Sequence, residues 1–150
     1  MAEQLAVGAV VRRGKDVLLV SETLDGDLVW ALPGGAVGPG EPLLAKVAQE
    51  AGFTAVTAER LLWIARYTAG GAGYEMFGFE VTGVGPHDGS GEWVPLAAAV
   101  ERLGRMWFAP IREPAVGYLT GRARVATVWT WAALEREPVT VPPVGGVRSA

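Results

Sequence analysis

The chain has 150 residues, a formal net charge of −3 and a composition that is 50% hydrophobic, with six tryptophans and no cysteine. That length and apolar content suit one domain with a substantial core. The acidic balance excludes a broad basic surface for a nucleic acid duplex or an anionic membrane. The lack of thiols excludes disulfides and thiolate metal sites.

Leu5 to Val11 and Val17 to Val20 are apolar runs separated by Arg12-Arg13-Gly14-Lys15-Asp16, which predicts two strands joined by a turn. Asp25-Gly26-Asp27 is a second turn signal. Leu28 to Leu32 predicts a short strand that leads into a glycine-rich loop. A helix is expected from Glu41 or Pro42, because proline is tolerated in the first turn. Gly52 is its natural stop.

The segment 54–68 is rich in β-branched and aromatic residues and predicts a strand that breaks near Glu59-Arg60. The turn Ala69-Gly70-Gly71-Ala72-Gly73 precedes a second strand from Tyr74 to Val81, so the two form a hairpin. A polar loop covers 83–91. Helices are expected over 95–103 and 110–119, with Pro114 opposing the second if it falls inside. Val125 to Trp131 predicts an extra strand that puts Trp129 and Trp131 on one side. Such a pair is expected to dock on the domain itself or on a second copy in a homodimer. From Pro138 onward the chain is rich in proline and glycine and is expected to be loose.

Strands mixed with helices in this order predict an α/β fold. No apolar run is long enough to span a bilayer, and no charged-then-apolar leader opens the chain. With the absence of cysteine, the expected location is the cytoplasm.

The segment with the most chemical content is Trp30-Ala31-Leu32-Pro33-Gly34-Gly35-Ala36-Val37-Gly38-Pro39-Gly40-Glu41, followed by Pro42-Leu43-Leu44-Ala45-Lys46-Val47-Ala48-Gln49-Glu50-Ala51-Gly52-Phe53. It resembles the Nudix box, G-x5-E-x7-R-E-U-x-E-E-x-G-U, where U is a bulky apolar residue, usually aliphatic. Gly35 to Glu41 matches the opening G-x5-E, Gly52-Phe53 matches the closing G-U, and Glu50 falls on the last glutamate of the E-E pair. Gln49 stands at the first glutamate of that pair, Lys46 at the glutamate of R-E, and Ala45 at its arginine. Only three residues separate Glu41 from Ala45, where the family has seven. The missing four make about one helical turn, so the helix face stays in phase. Further on, Glu92-Trp93-Val94-Pro95-Leu96 and the helix after it resemble a late segment of the same family.

The resemblance implies a Nudix-type α/β/α sandwich with a mixed β-sheet. It covers about 3–120 of a single domain over 1–137, with the extra strand at about 124–131 and the tail at 138–150. In the family, the positions of Lys46, Gln49 and Glu50 carry carboxylates that gather Mg2+ or Mn2+ against a pyrophosphate. They lie at i, i+3 and i+4 on one helix face. Here their summed formal charge changes from −3 to 0, and Lys46 is placed to pair with Glu50.

Glu50 is the leading candidate for a catalytic and metal-holding residue, with the Gly35 carbonyl as a second ligand that the resemblance implies. Glu41, deprived of the arginine that Ala45 replaces, is expected to act as a helix N-terminal carboxylate. Lys46, with the backbone of Gly34 and Gly35, is the candidate for substrate binding, since an ammonium recognises phosphate directly. Glu75, Glu80, Asp88 and Glu92 are the carboxylates weighed outside the box, and Glu92 is a candidate catalytic base. His87 has no nameable partner. Trp30, Trp63, Tyr67, Tyr74, Phe77 and Phe79 are expected mainly in the core, with base stacking the alternative.

Two functional readings stand on these residues. The first is a hydrolase of nucleoside diphosphate-linked compounds that uses Mg2+ or Mn2+. The second needs no metal: an inactive module that binds a nucleotide or phosphorylated small molecule, or a protein partner. The loss of box carboxylates favours the second.

Overall fold

The computed structural model describes residues 3–132, so the tail from Pro138 lies outside the described residues. The elements run β1 (Glu3–Arg13), β2 (Asp16–Leu24), β3 (Asp27–Ala31), β4 (Gly34–Val37), α1 (Leu43–Ala51), β5 (Ala55–Ala69), β6 (Ala72–Val84), β7 (Glu92–Pro95), α2 (Leu96–Leu103), α3 (Ala109–Leu119) and β8 (Thr127–Trp131). No helix among the described residues is long and apolar enough to cross a membrane.

The sheet is mixed. Its strand order is β3-β2-β1-β6-β5-β8, with β4 pairing β1 and β7 pairing β2. β1 runs parallel to β6 from Glu3↔Gly73 to Val11↔Val81. β5 and β6 form a long antiparallel hairpin closed at Ala69↔Ala72. β8 adds a parallel edge beside β5.

β1 explains why helices lie on both faces. Its residues alternate between the two sides, and both sides are apolar, as a strand buried on both faces requires. Val7, Ala9 and Val11 meet Val47 and Ala51 of α1. Val10 faces the opposite core, where Ala99 and Leu103 of α2 and Ala115 and Leu119 of α3 pack on Leu62 and Trp63. The result is the expected α/β/α sandwich. Between α2 and α3, the nearly buried Arg112 donates from Nη1 to the Met106 carbonyl at 2.8 Å, which fixes the connection.

Some expectations change in detail. The segment after Pro33 is a strand where a loop was expected. Gly34 to Val37 carry little strand propensity of their own, but β1 offers them an open ladder from Leu5↔Val37 to Gly8↔Gly34. β7 was likewise not expected, and it forms because β2 presents an edge to Glu92–Pro95. The break expected near Glu59-Arg60 takes the form of register shifts at Ala58/Arg60 and Leu61/Trp63 within one continuous strand. Pro114 lies inside α3 and is fully buried, so apolar burial offsets its missing N–H.

The extra strand forms at β8. Trp129 and Trp131 stack with ring centroids 6.3 Å apart, and Trp129 packs against Gly117 of α3. The pair therefore docks on its own domain.

Candidate functional site

α1 is amphipathic. Val47, Ala48 and Ala51 are buried against the sheet, and Lys46 and Glu50, four residues apart, share the polar stripe beside them. The helix begins after Pro42 and ends at Gly52, whose φ of 87° is the left-handed stop that glycine adopts readily.

Glu41 corrects an expectation. It precedes the helix, and its Oε1 accepts the Gly38 N–H at 2.9 Å. Pro42 takes the N-cap position, so Glu41 braces the loop instead of answering the helix dipole.

Gly34 and Gly35 lie in β4, where close approach requires glycine. A Cβ on Gly34 would collide with the Val7 carbonyl oxygen, and its φ is 151°. A Cβ on Gly35 would lie 3.3 Å from Lys46 Cε. The lysine stem thus runs across Gly35, and Lys46 Nζ ends 3.7 Å from Glu50 Oε2.

The structure adds Glu22, which was not among the carboxylates singled out in the sequence. Glu22 sits on β2 opposite Val29 of β3. It is half-buried, and burial pushes its carboxyl above the ordinary value, as does the charge of Glu50, while Lys46 pulls it down. It makes no hydrogen bond or ion pair among the described residues. A signal for it exists in the period of two. Leu18 packs into the α1-side cluster, so Glu22, four residues along, projects to the same side. The expected strand ended at Val20 and missed it.

Glu22 and Gly35 line a cavity of about 220 Å3 whose other walls include Leu24, Leu32, Trp63, Tyr67 and Met76. It extends from Glu22 and Gly35, on the α1 side, to Leu103 of α2 and Ile111 and Ala115 of α3. Gln49 does not join this group. It lines a separate cleft with Leu44, Phe53 and Val56.

No protein-family model and no curated protein matches the chain. Solved structures do. A Nudix hydrolase from Nitrosomonas europaea is 20% identical with a TM-score of 0.65, over 83% of this chain and 93% of that one. The chain has the Nudix fold. A UDP-X diphosphatase is similar at 19% identity and a TM-score of 0.57, over 85% of this chain and 68% of the other. An ADP-ribose pyrophosphatase from Streptococcus suis follows at 15% identity and 0.53, over 83% and 98%.

In this Nudix-fold protein the donor set at the box does not by itself make a magnesium site. Magnesium requires oxygen ligands in octahedral array. Among the described residues no group of three or more His, Cys, Asp or Glu is placed to hold a metal ion. Glu50 and Glu22 supply carboxylates, but the ammonium of Lys46 interacts with both.

The other carboxylates weighed in the sequence are engaged elsewhere. Glu92 is paired with Arg102 at 3.1 Å. Glu75 is paired with Arg66 at 2.6 Å. Glu80 accepts from Arg12, Arg60 and Tyr118. Asp88 accepts from the backbone and hydroxyl of Ser90, which hold its carboxyl below the usual range.

His87 has a definite position. Its Nδ1 accepts the Gly89 N–H at 3.2 Å, so Nε2 carries the proton and donates to the Ala51 carbonyl at 2.8 Å. With the Asp88 N–H donating to the Gly52 carbonyl, the loop is fastened to the C-terminal end of α1. Of the aromatics, Trp63 and Tyr67 reach the cavity. Tyr74 stacks on Tyr67 at 4.9 Å, and Trp30 packs on the second core beneath Arg102.

Proposed function

We propose that this protein binds a nucleotide or phosphorylated small molecule through Lys46, and that it does so without metal-assisted hydrolysis. The observation that carries the reading is the position of the Lys46 ammonium, across Gly35 and 3.7 Å from Glu50, on the helix that follows the box loop. An ammonium there presents a fixed positive charge and up to three donors. The 3.7 Å separation is longer than a direct hydrogen bond, so the donors are available to a phosphate.

The adjoining apolar cavity gives such a ligand a place for a non-phosphate group. Its structural neighbours include enzymes named for nucleotide-type substrates, a UDP-X diphosphatase and an ADP-ribose pyrophosphatase. Fold alone does not carry activity across.

One observation favours a second reading, that of a hydrolase. Glu22 lies close enough to this pair for the charge of Glu50 to raise the Glu22 carboxyl, after burial, the larger cause. Magnesium is often held by one or two carboxylates plus substrate phosphates, so Glu22 and Glu50 together would be the candidates.

Cleavage of a panel of nucleoside diphosphate-linked compounds to their phosphomonoesters, with Mg2+ and Mn2+ and with Glu50→Gln alongside, separates the two. The proposal expects no metal-dependent cleavage by the wild-type protein. Cleavage that is lost in Glu50→Gln overturns it in favour of the hydrolase.

A further inference from the structure

We infer that the cavity beside Lys46 takes the base of a guanine nucleotide, with Glu22 receiving the adjacent N–H donors on one edge of that base. The inference rests on the reading above, in which Lys46 holds the phosphate. It names the substrate class from the one charged group in the cavity wall.

The lining explains the choice. Leu24, Leu32, Met76 and Ile111 give apolar surface, while Trp63 and Tyr67 add aromatic surface. A flat ring suits such walls. Glu22 is the only charged side chain among the lining residues, and it has no hydrogen-bond partner among the described residues. A half-buried carboxylate without donors is costly. Burial already pushes the Glu22 carboxyl up, and donors from a ligand would relieve that cost.

The pattern of donors decides among bases. An ionised carboxylate offers acceptors only, on two oxygens side by side. Guanine presents two neighbouring N–H donors, N1–H and the exocyclic amine, and the match is bidentate. Adenine and cytosine place an acceptor beside their amine. Uracil flanks its single N–H with two carbonyl oxygens. Each of these aims at least one acceptor at Glu22.

Position supports a single ligand spanning both groups. Gly35 lines the cavity and also lies against the stem of Lys46. Base and phosphate of one nucleotide therefore have adjoining sites. Donors at Glu22 also offset the negative charge that Glu22 and Glu50 would turn towards an arriving phosphate.

The test is calorimetric titration of GDP, IDP, ADP and inorganic pyrophosphate into the full chain in EDTA, for the wild type and Glu22→Gln. IDP keeps N1–H and lacks the amine. The inference expects GDP to bind roughly 10- to 100-fold more tightly than ADP, with IDP between them. It expects Glu22→Gln to abolish the preference, while pyrophosphate binds the variant at least as tightly as the wild type because a nearby negative charge is removed. Equal binding of GDP and ADP, with pyrophosphate still bound, overturns the base assignment and leaves Lys46 as a phosphate contact. A GDP preference that survives Glu22→Gln overturns the role of Glu22. Failure of all four ligands to bind overturns both the assignment and the reading beneath it.

Discussion

Lys46 and Glu50 stand one helical turn apart on α1, with Nζ 3.7 Å from Oε2. The positively charged partner comes first in the chain, which is the weaker orientation for such a pair on a helix. Their side chains are 22% and 38% exposed, so the pair contributes little to stability. Its consequence is local. A fixed positive charge occupies the helix face where the family resemblance implies a divalent cation.

Reversing that charge should therefore create affinity for metal. Lys46→Glu leaves carboxylates at positions 22 and 50 and adds a third beside them. Calorimetric titration with Mn2+ should show binding at least about 10-fold tighter than in the wild type, in line with oxygen-ligand preference. Equal affinity of the two proteins for Mn2+ would contradict the account.

Gly34 should tolerate no side chain. A Cβ there runs into the Val7 carbonyl, in a strand that must stay paired to β1. Gly34→Ala is expected to destabilise the fold by about 2 kcal/mol or more, as steric conflict with a backbone partner does. Gly40→Ala is the comparison, because a Cβ at Gly40 meets nothing within 4 Å and bears only its positive φ. Denaturant midpoints of the two variants measure the difference. An equal loss in both would show that conformation, not the approach of β4 to β1, sets the cost.

Glu80 should make stability depend on acid. Burial alone would raise its carboxyl, but hydrogen bonds from Tyr118 and Arg60 and the charge of Arg12 outweigh that and hold it low. A carboxyl lowered in the folded state stabilises the fold above its unfolded value of about 4.5, and this contribution is lost as pH falls through the folded value. Its arginine partners are 35% and 53% exposed, so solvent screens the network and about 1 kcal/mol is at stake near neutral pH. Thermal melts from pH 7 to pH 3 should show Glu80→Gln less stable than wild type at pH 7, with the gap closing in acid. A gap that widens in acid would reverse the assigned sign.

Much of the fold was legible because the local signals were strong. Gly52 marked the end of α1, the glycines at 70–71 marked the β5–β6 turn, and alternation in 125–131 marked β8. The short strands β4 and β7 were not legible, since each exists only through the edge that another strand offers. The site divides in the same way. Lys46 and Glu50 could be paired from helical spacing alone. Glu22 could not, because its approach to them depends on β2 running four residues past Val20 to Leu24 and on the placement of α1 over that side of the sheet. The position of His87 against the Ala51 carbonyl depends on a loop folding back over 36 residues of sequence.

The most direct test of the central claim is calorimetric titration of inorganic pyrophosphate into the wild-type chain and into Lys46→Ala, each in EDTA and again with Mg2+. The account predicts binding by the wild type in EDTA, weakened about 10-fold or more in the variant through loss of a charged hydrogen-bond donor. Wild-type binding that appears only when Mg2+ is added, and that Lys46→Ala leaves unchanged, would contradict it.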